Sequence, residues 1–546
     1  MRSLIICLLL IQNIDAFNYL LISPVFGFSH IKFMSKIADV LANGGHNVTI
    51  FRPHHNDLHI PPRLIKNPNI EILDYYPKDF DEMKKGSDDM MKSMWLEGTS
   101  PLSMAISAIQ FGKGARDVWN NTNYQILTDK ELHEKLKARK FDSVITEIFD
   151  TSGFYLNEIL KIPSIVAVWS AVRHWSTEMY YGGVSPVGYV PGKESAIGAN
   201  AVFLDRLNDL SSCFFIGLLV RRLILEQHYN YANIIGTNKT ADELLTKSPF
   251  FMVNSNPYLD FPMPVPQTIV QIGGFTMDLK HSPSLENLPK EYDKILNEKD
   301  TTIFISFGSV AKSSEMPEHY KKGIIGMFKL LSNVTFIWKY EKEHPEMEKI
   351  LPSNVHLQRW VPQPALIADK RVKLFVTHGG LGSTMEVAYS GKPALLIPIF
   401  ADQPHNAMMI ARHGGAEVFE KEDLVNSKKL AAVIQKMITN SIYKKHAEQL
   451  AHLLRHQPFD PKDILLSHAE FAARFPNMES LVPPILQSSF IGYYYIDVML
   501  FLAALALISL FAVVKSILWV YRRIDNIISR SDALPSCSSS YFLSQF

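Results

Sequence analysis

The sequence predicts an α/β protein of two doubly wound domains followed by a single membrane-spanning helix. Three features carry this reading. Short, continuous apolar runs alternate with stretches of helical period in both halves of the chain, which is βαβ rhythm and implies parallel strands buried on both faces. A proline-rich break, 254–274 with Pro257, Pro262, Pro264 and Pro266, separates the halves as a linker. Near the C-terminus, Val498 to Val514 is uncharged and almost wholly apolar.

In chain order, Met1-Arg2, the apolar run Leu4 to Ile11 and Ile14-Asp15-Ala16 read as a signal peptide, residues 1–16, too short to span a bilayer. The first domain, 17–253, opens with a strand from Phe17 to Ser23. A helix from His30 to Ala42 follows, with Ile31, Met34, Ile37, Ala38 and Leu41 on one face, then Gly44-Gly45 as its stop and a strand from Asn47 to Phe51. A second strand–helix–strand unit runs from Phe141 through Ser152–Leu160 to Ile165–Val168. Between Pro53 and Lys140 the pattern weakens, and the Met- and Lys-rich stretch Glu82 to Trp95 reads either as a pocket wall or as a surface insertion. Phe203 to Leu225 reads as a buried helix with snorkelling Arg221 and Arg222, or as a membrane-surface segment.

The second domain, 275–480, restarts the rhythm with strands Thr302–Phe307, Val334–Trp338, Lys373–Thr377 and Ala394–Ile397. The apolar segment, with Tyr493-Tyr494-Tyr495 before it and Trp519 and Tyr521 after it, defines a transmembrane region 493–521. Lys515, Arg522, Arg523 and Arg530 follow, placing the tail 522–546 in the cytosol and the bulk of the chain in the lumen. In that topology Asn47, Asn120, Asn238 and Asn333 are glycosylation candidates, with Asn47 and Asn333 expected to be poorly exposed at strand starts. Outside the signal peptide and tail only Cys213 remains, so no intramolecular disulfide is expected in the mature luminal part. A net charge of +1 over 546 residues gives no electrostatic argument for nucleic acid.

One segment carries most of the functional information. It contains Trp360-Val361-Pro362-Gln363, then Thr377-His378-Gly379-Gly380-Leu381-Gly382-Ser383 with Glu386, then Asp402-Gln403 with Asn406. An indole can stack on a flat base. A glycine-rich turn from strand to helix lets backbone approach a pyrophosphate and presents unpaired N–H groups to it. A carboxylate a turn into that helix can accept a ribose diol. Asp402 and Gln403 suit sugar hydroxyls. His30, between the first strand and first helix, reads as a general base or as a helix-capping residue. A metal role for His54-His55 with His59 lacks partners at ligand spacing, and a solvated loop is the reading adopted.

Over nearly its whole length the chain resembles the UDP-glycosyltransferases, closest to the animal UDP-glucuronosyltransferases and to nematode ones in particular. The resemblance implies two facing Rossmann-like domains of GT-B type, the first binding the acceptor and the second, with returning C-terminal helices, the UDP-sugar. It implies transfer of a hexosyl group, from UDP-glucuronate or UDP-glucose, to a small lipophilic acceptor bearing a hydroxyl, with inversion and with neither metal nor cofactor. His30 is the implied base. Its orienting acid is Glu147, where vertebrate relatives have Asp, or else Asp150. Ser309, His378, Gly380 and Ser383 are implied for the phosphates, Trp360 for uracil, Gln363 and Glu386 for ribose, and Asp402 and Gln403 for the transferred sugar. Gly382 departs from the family, where many relatives carry Asn. The resemblance also implies an endoplasmic reticulum, single-pass type I membrane protein, and leaves open homo- or hetero-oligomers with related transferases. A catalytically silent relative that binds a ligand or partner is the alternative reading.

Overall fold

The computed structural model describes residues 16–56, 60, 64–78, 80, 95, 119–183, 202–277, 288–309, 311–343, 345–476, 478–481, 490–493 and 495–531. The signal-peptide residues before Ala16, His59, most of the Glu82–Trp95 stretch and the tail from 532 onward lie outside them.

Two parallel sheets organise the chain up to Val482, which forms one compact unit. The first is built from β1 (Asn18–Ile22), β2 (Asn47–Pro53), β3 (Glu71–Tyr75), β4 (Ser143–Glu147), β5 (Ser164–Trp169), β6 (Phe251–Val253) and β7 (Ile269–Gln271), in the order β3-β2-β1-β4-β5-β6-β7. The second holds β8 (Thr302–Ser306), β9 (Thr335–Lys339), β10 (Val355–Gln358), β11 (Val372–Thr377), β12 (Ala394–Leu396) and β13 (Ala416–Val418), in the order β10-β9-β8-β11-β12-β13. Every pairing between these strands is parallel. Central strands such as SVITE of β4 and TIFIS of β8 are buried at every position, because helices cover both faces. In each sheet the strand order reverses between the first strand and the fourth, and that is where crevices open at the carboxyl ends.

The helices that matter for the site are α1 (Phe28–Asn43), α2 (Ser152–Leu160), α3 (Phe203–Ile235), α4 (Leu381–Ser390), α5 (Gln403–Ala411) and α6 (Pro461–Arg474). The apolar face of α1 buries Ile31, Met34, Ile37, Ala38 and Leu41 as the 3.6-residue period requires. Gly44 and Gly45 end it, Gly45 with φ 93°. α3 is longer than the sequence suggests, and Arg221 on it is not free to snorkel: its guanidinium pairs with both carboxylate oxygens of Asp242 and reaches the Tyr180 hydroxyl. Arg222 is exposed and pairs with Glu226 along the helix.

Several expectations need correction. The segment 254–274 is not a bare linker, because β7 lies inside it and pairs with β6, so the chain leaves the first sheet only after Gln271. The prolines lie mainly in the turn between these two strands and hid a three-residue strand. Trp95, at the end of the Met-rich stretch, is neither pocket wall nor surface. It is buried in the second domain's core, its indole N–H donating to the Lys312 carbonyl and its ring edge-on to Phe307. Asn47, Asn238 and Asn333 are exposed, since each stands outside the strand or helix that follows it or at its first position, whereas Asn120 is half-buried against Tyr231.

α6 returns to the first domain. Asp460 caps it, Pro461 starts it, and Leu465, Ala469 and Ala472 enter the core beneath β1 and α1 with Tyr19, Leu21, Met34 and Leu41. His46 and Glu470 pair at 3.0 Å beside this contact. A separate compact unit, from Pro483, holds α7 (Ile496–Ser531), one helix long and apolar enough to cross a membrane. It continues past Tyr521, so helix rather than tail carries Arg522 and Arg523.

Truncating Leu465 to Ala should cost about 2–5 kcal/mol, because a fully buried side chain is deleted at the contact between α6 and the first domain. Urea unfolding of the purified protein measures it, and a loss below 1 kcal/mol would mean that α6 is not part of that core.

Candidate active site

His30 lies in the first turn of α1, just past the carboxyl end of β1, and Glu147 is the last residue of β4, the neighbouring strand. The strand pairing therefore brings them together: His30 Nδ1 is 2.7 Å from Glu147 Oε1. Ser170, one residue past the end of β5, completes the group, its hydroxyl 2.9 Å from His30 Nδ1 and its backbone N–H donating to Glu147 Oε1 at 3.2 Å. With Glu147 ionised, Nδ1 carries the proton and Nε2 keeps its lone pair. Glu147 is fully buried, and its Oε2 has no hydrogen-bond partner among the described residues. The helix-capping reading of His30 fails locally, because α1 has Gly27 at its N-cap and no side-chain cap there.

Asp150 takes a different place. Its Oδ1 accepts from Asn123 Nδ2 and from the Ser152 N–H, both at 3.0 Å, and its Oδ2 lies 3.7 Å from His55 Nε2. Of the two candidate acids, Glu147 is the one against His30. Aromatic rings line the space beside this pair. Phe26 lies 4.3 Å from the His30 ring centroid, 5.0 Å from Trp119 and 5.2 Å, stacked, from Phe149.

The second domain offers a different surface. β11 ends at Thr377, and His378-Gly379-Gly380 turns the chain into α4, with Gly379 at φ 83° and no side chain capping the helix. The first N–H groups of α4 are thus left for a ligand. The His378 ring is held between Gly308 and Gly380, where an added Cβ would come within 2.6 Å and 2.5 Å of its atoms. Burial pushes this imidazole down to about 4, with Asp402 opposing and the Lys339 ammonium adding to the effect. The ring is therefore neutral at pH 7 and serves as a hydrogen-bond group, not as a standing positive charge. Ser309 is exposed in the turn after β8.

Gln363 Nε2 donates to Ser383 Oγ at 3.0 Å and to Glu386 Oε2 at 2.7 Å, which joins three of the expected residues directly. Trp360 is 67% exposed, an unusual state for an indole and one that leaves a face open for stacking. Asp402 accepts from Asn406 at 2.8 Å at the start of α5, after Ala401 at φ 56°. The side-chain oxygen of Gln403 accepts from the backbone N–H groups of Ile399 and Phe400, so it also holds its own loop.

Three groups escaped the sequence reading. Ser170 could have been found from its place at a strand's carboxyl end. Lys339, the last residue of β9, donates to the Gly308 carbonyl at 2.6 Å and lies 5.9 Å from the Trp360 ring, and burial lowers its pKa. Lys32, one residue beyond Ile31 on α1, reaches across to Glu386 Oε1 at 3.2 Å, tying the two domains together. No local pattern reveals that pair. His54 and His55 are buried, not in the solvated loop expected, and meet different carboxylates, His54 at Asp74 and His55 at Asp150, because the chain here bridges to Val25 beside the first sheet.

Because its Cβ would collide with the His378 ring, Gly380→Ala should destabilise by about 1–3 kcal/mol. Gly382, in the same turn, has open space around its Cβ, so Gly382→Ala should stabilise by about 0.5–1 kcal/mol. Paired denaturant titrations compare them, and equal effects would contradict the ring placement. The same space shows that an Asn at 382 would fit without disturbing the loop.

Comparison with known proteins places this geometry. The family model described as UDP-glucoronosyl and UDP-glucosyl transferase matches residues 19–531. UDP-glucuronosyltransferase 2B13 of Oryctolagus cuniculus is 26% identical over 506 residues, covering 91% of this chain and 92% of the relative. Putative UDP-glucuronosyltransferase ugt-56 of Caenorhabditis elegans is 26% identical over 484 residues, 86% of this chain and 88% of the relative. Among solved structures, the glycotransferase of kitacinnamycin aligns with a TM-score of 0.55 at 15% identity, covering 86% of this chain and 100% of that one. The spinosyn forosaminyltransferase SpnP aligns at 0.52 and 15%, covering 84% and 99%. These structures share the GT-B fold of two facing parallel-sheet domains. The chain belongs to the UDP-glucuronosyl and UDP-glucosyl transferase family, and it is a glycosyltransferase that draws on a UDP-sugar.

Proposed function

We propose that the protein transfers a glucuronosyl or glucosyl unit from its UDP donor to the hydroxyl of a small lipophilic acceptor, with inversion and with His30 as general base. The observation that carries this reading is the 2.7 Å contact of His30 Nδ1 with the buried Glu147, which leaves Nε2 as the basic nitrogen beside an aromatic surface. Nε2 takes the acceptor's proton as its oxygen attacks the anomeric carbon. The bond from that carbon to the diphosphate oxygen breaks, and UDP departs with the electron pair. Glu147 then faces an imidazolium and stabilises it, the role of the orienting acid in a catalytic triad.

Trp360 stacks on uracil, and Gln363 and Glu386 take the ribose hydroxyls, Lys32 giving way as they do. The N-terminal amides of α4, with His378, Ser383 and Ser309, receive the diphosphate. Asp402 accepts from the transferred sugar, while Gln403 shapes the loop that presents it and has its amide nitrogen to offer. Helix N–H groups and hydrogen-bonding side chains receive the departing charge in this scheme, and the proposal invokes no metal. The chain is further proposed to sit in the endoplasmic reticulum membrane by α7, with both domains lumenal, the tail cytosolic and Asn47, Asn238 and Asn333 open to glycosylation.

UDP release by purified protein, offered UDP-glucuronate and UDP-glucose separately with a panel of small phenols, tests the reading. Turnover with one donor, dependent on acceptor, is expected; a protein that binds UDP yet turns over neither would instead fit the catalytically silent alternative. His30→Ala should lower kcat about a hundred-fold to ten-thousand-fold and leave the UDP dissociation constant in place. Glu147→Gln, which keeps shape but removes charge, should cost less than His30→Ala; an unaffected rate in either would remove the pair from the mechanism.

UDP binding should also take up a proton. Burial holds His378 near 4 in the protein alone, and an adjoining diphosphate favours its charged form, raising its pKa in the complex. Affinity should therefore rise as pH falls from neutrality towards about 4, the free-site value. Calorimetry in buffers of different ionisation enthalpy reads the uptake directly, and His378→Gln should abolish it.

A further inference from the structure

Beneath the aromatic surface beside His30 is a buried polar group that the proposed reaction does not use. His55 is 2% exposed, and neither of its ring nitrogens has a hydrogen-bond partner among the described residues. The same is true of Asp150 Oδ2, 3.7 Å from His55 Nε2, and of Asn123 Oδ1, on the residue that donates to Asp150 Oδ1. Leaving buried polar atoms unmatched costs about 1–3 kcal/mol each, so a cluster of them calls for a polar occupant. The neighbours show where that occupant belongs. Trp119 lies 5.9 Å from His55 and 5.0 Å from Phe26, and Phe26 lies 4.3 Å from His30. A continuous row of rings therefore runs from the base to the polar cluster, and Asn56 Nδ2, donating to the Phe26 carbonyl at 2.9 Å, fixes its start.

We infer that His55 and Asp150 form the far pole of the acceptor site and select acceptors carrying a second hydroxyl across a flat aromatic body. The inference rests on the transferase reading above and narrows its acceptor class. The chemistry of the pair decides which group fits. A hydroxyl donates one hydrogen bond and accepts another, which matches a carboxylate oxygen and an imidazole N–H side by side. A carboxylate on the acceptor would face Asp150 and be repelled, and an apolar end would leave all these atoms unmatched. Asp150 is held for this task by Asn123 and by the Ser152 N–H at the start of α2, both bonding its other oxygen.

The test compares three acceptors on a biphenyl frame: the mono-phenol, the same molecule with a para-hydroxyl on the second ring, and the one with a carboxylate there. Binding to the UDP-loaded protein is followed by calorimetry, alongside turnover. The diol should bind about ten-fold more tightly than the mono-phenol, the worth of one well-made hydrogen bond, and the carboxylate more weakly than the diol. His55→Phe should bring the ratio of diol to mono-phenol affinity close to one, and His55→Gln should restore part of it. Thermal unfolding and UDP affinity of each variant report whether it folds. Equal binding of diol and mono-phenol by the natural protein, or a preference that survives His55→Phe, would overturn the inference. A diol preference without turnover would count against the transfer reading and leave this one standing.

Discussion

Parallel pairing is the constraint on which the site depends. With every strand running the same way, all carboxyl ends gather on one edge of each sheet, and the strand order reverses next to β1 in one and β8 in the other. Residues far apart in sequence meet there because they follow adjacent strands. His30 follows β1 and Glu147 ends β4; Ser309 follows β8 and His378 follows β11. The residues proposed as base and as leaving-group donors thus stand at strand ends, which hold geometry better than free loops do. α6, by packing its Leu465 face into the first domain, adds a second crossing of the chain between the domains.

Charged groups around the candidate site are engaged by neighbours. Glu386 is shared by Gln363 and Lys32, so no bare carboxylate faces the place expected for ribose. Lys339 lies 4.0 Å from Glu341 and donates to the Gly308 carbonyl, whose residue also walls in His378. His30 differs in that its partner, Glu147, is fully buried.

Much of this was legible from residues alone, and the limits have physical causes. The central strands stand out as unbroken apolar runs because both faces are covered. β3 (EILDY) and β10 (VHLQ) lie at sheet edges and read as polar sequence, while β6, β7, β12 and β13 are three residues each, close to the shortest signal periodicity can hold. The donor segment was readable because glycine, indole and carboxylate fall at strand ends in a fixed order. The choice between Glu147 and Asp150 was not, since one ends the strand and the other follows it by three residues, and only the strand's neighbours decide which faces His30. Nor could Lys32 meeting Glu386, or Trp95 entering the second domain, be seen, because nothing local to either residue encodes a contact across hundreds of positions. Gln403 shows a second use that its residue type does not reveal: its side-chain oxygen also accepts from the backbone of its own loop.

Direct attack by an acceptor oxygen, with a histidine base and no covalent enzyme intermediate, is the central claim. Proton nuclear magnetic resonance of the first product formed from an α-linked UDP-sugar tests it most directly, through the coupling at the anomeric proton. The account predicts a β-linked product from the earliest observable turnover. An α-linked product would contradict it, since retention requires a nucleophile or a front-face path that His30 and Glu147, paired as they are, do not supply.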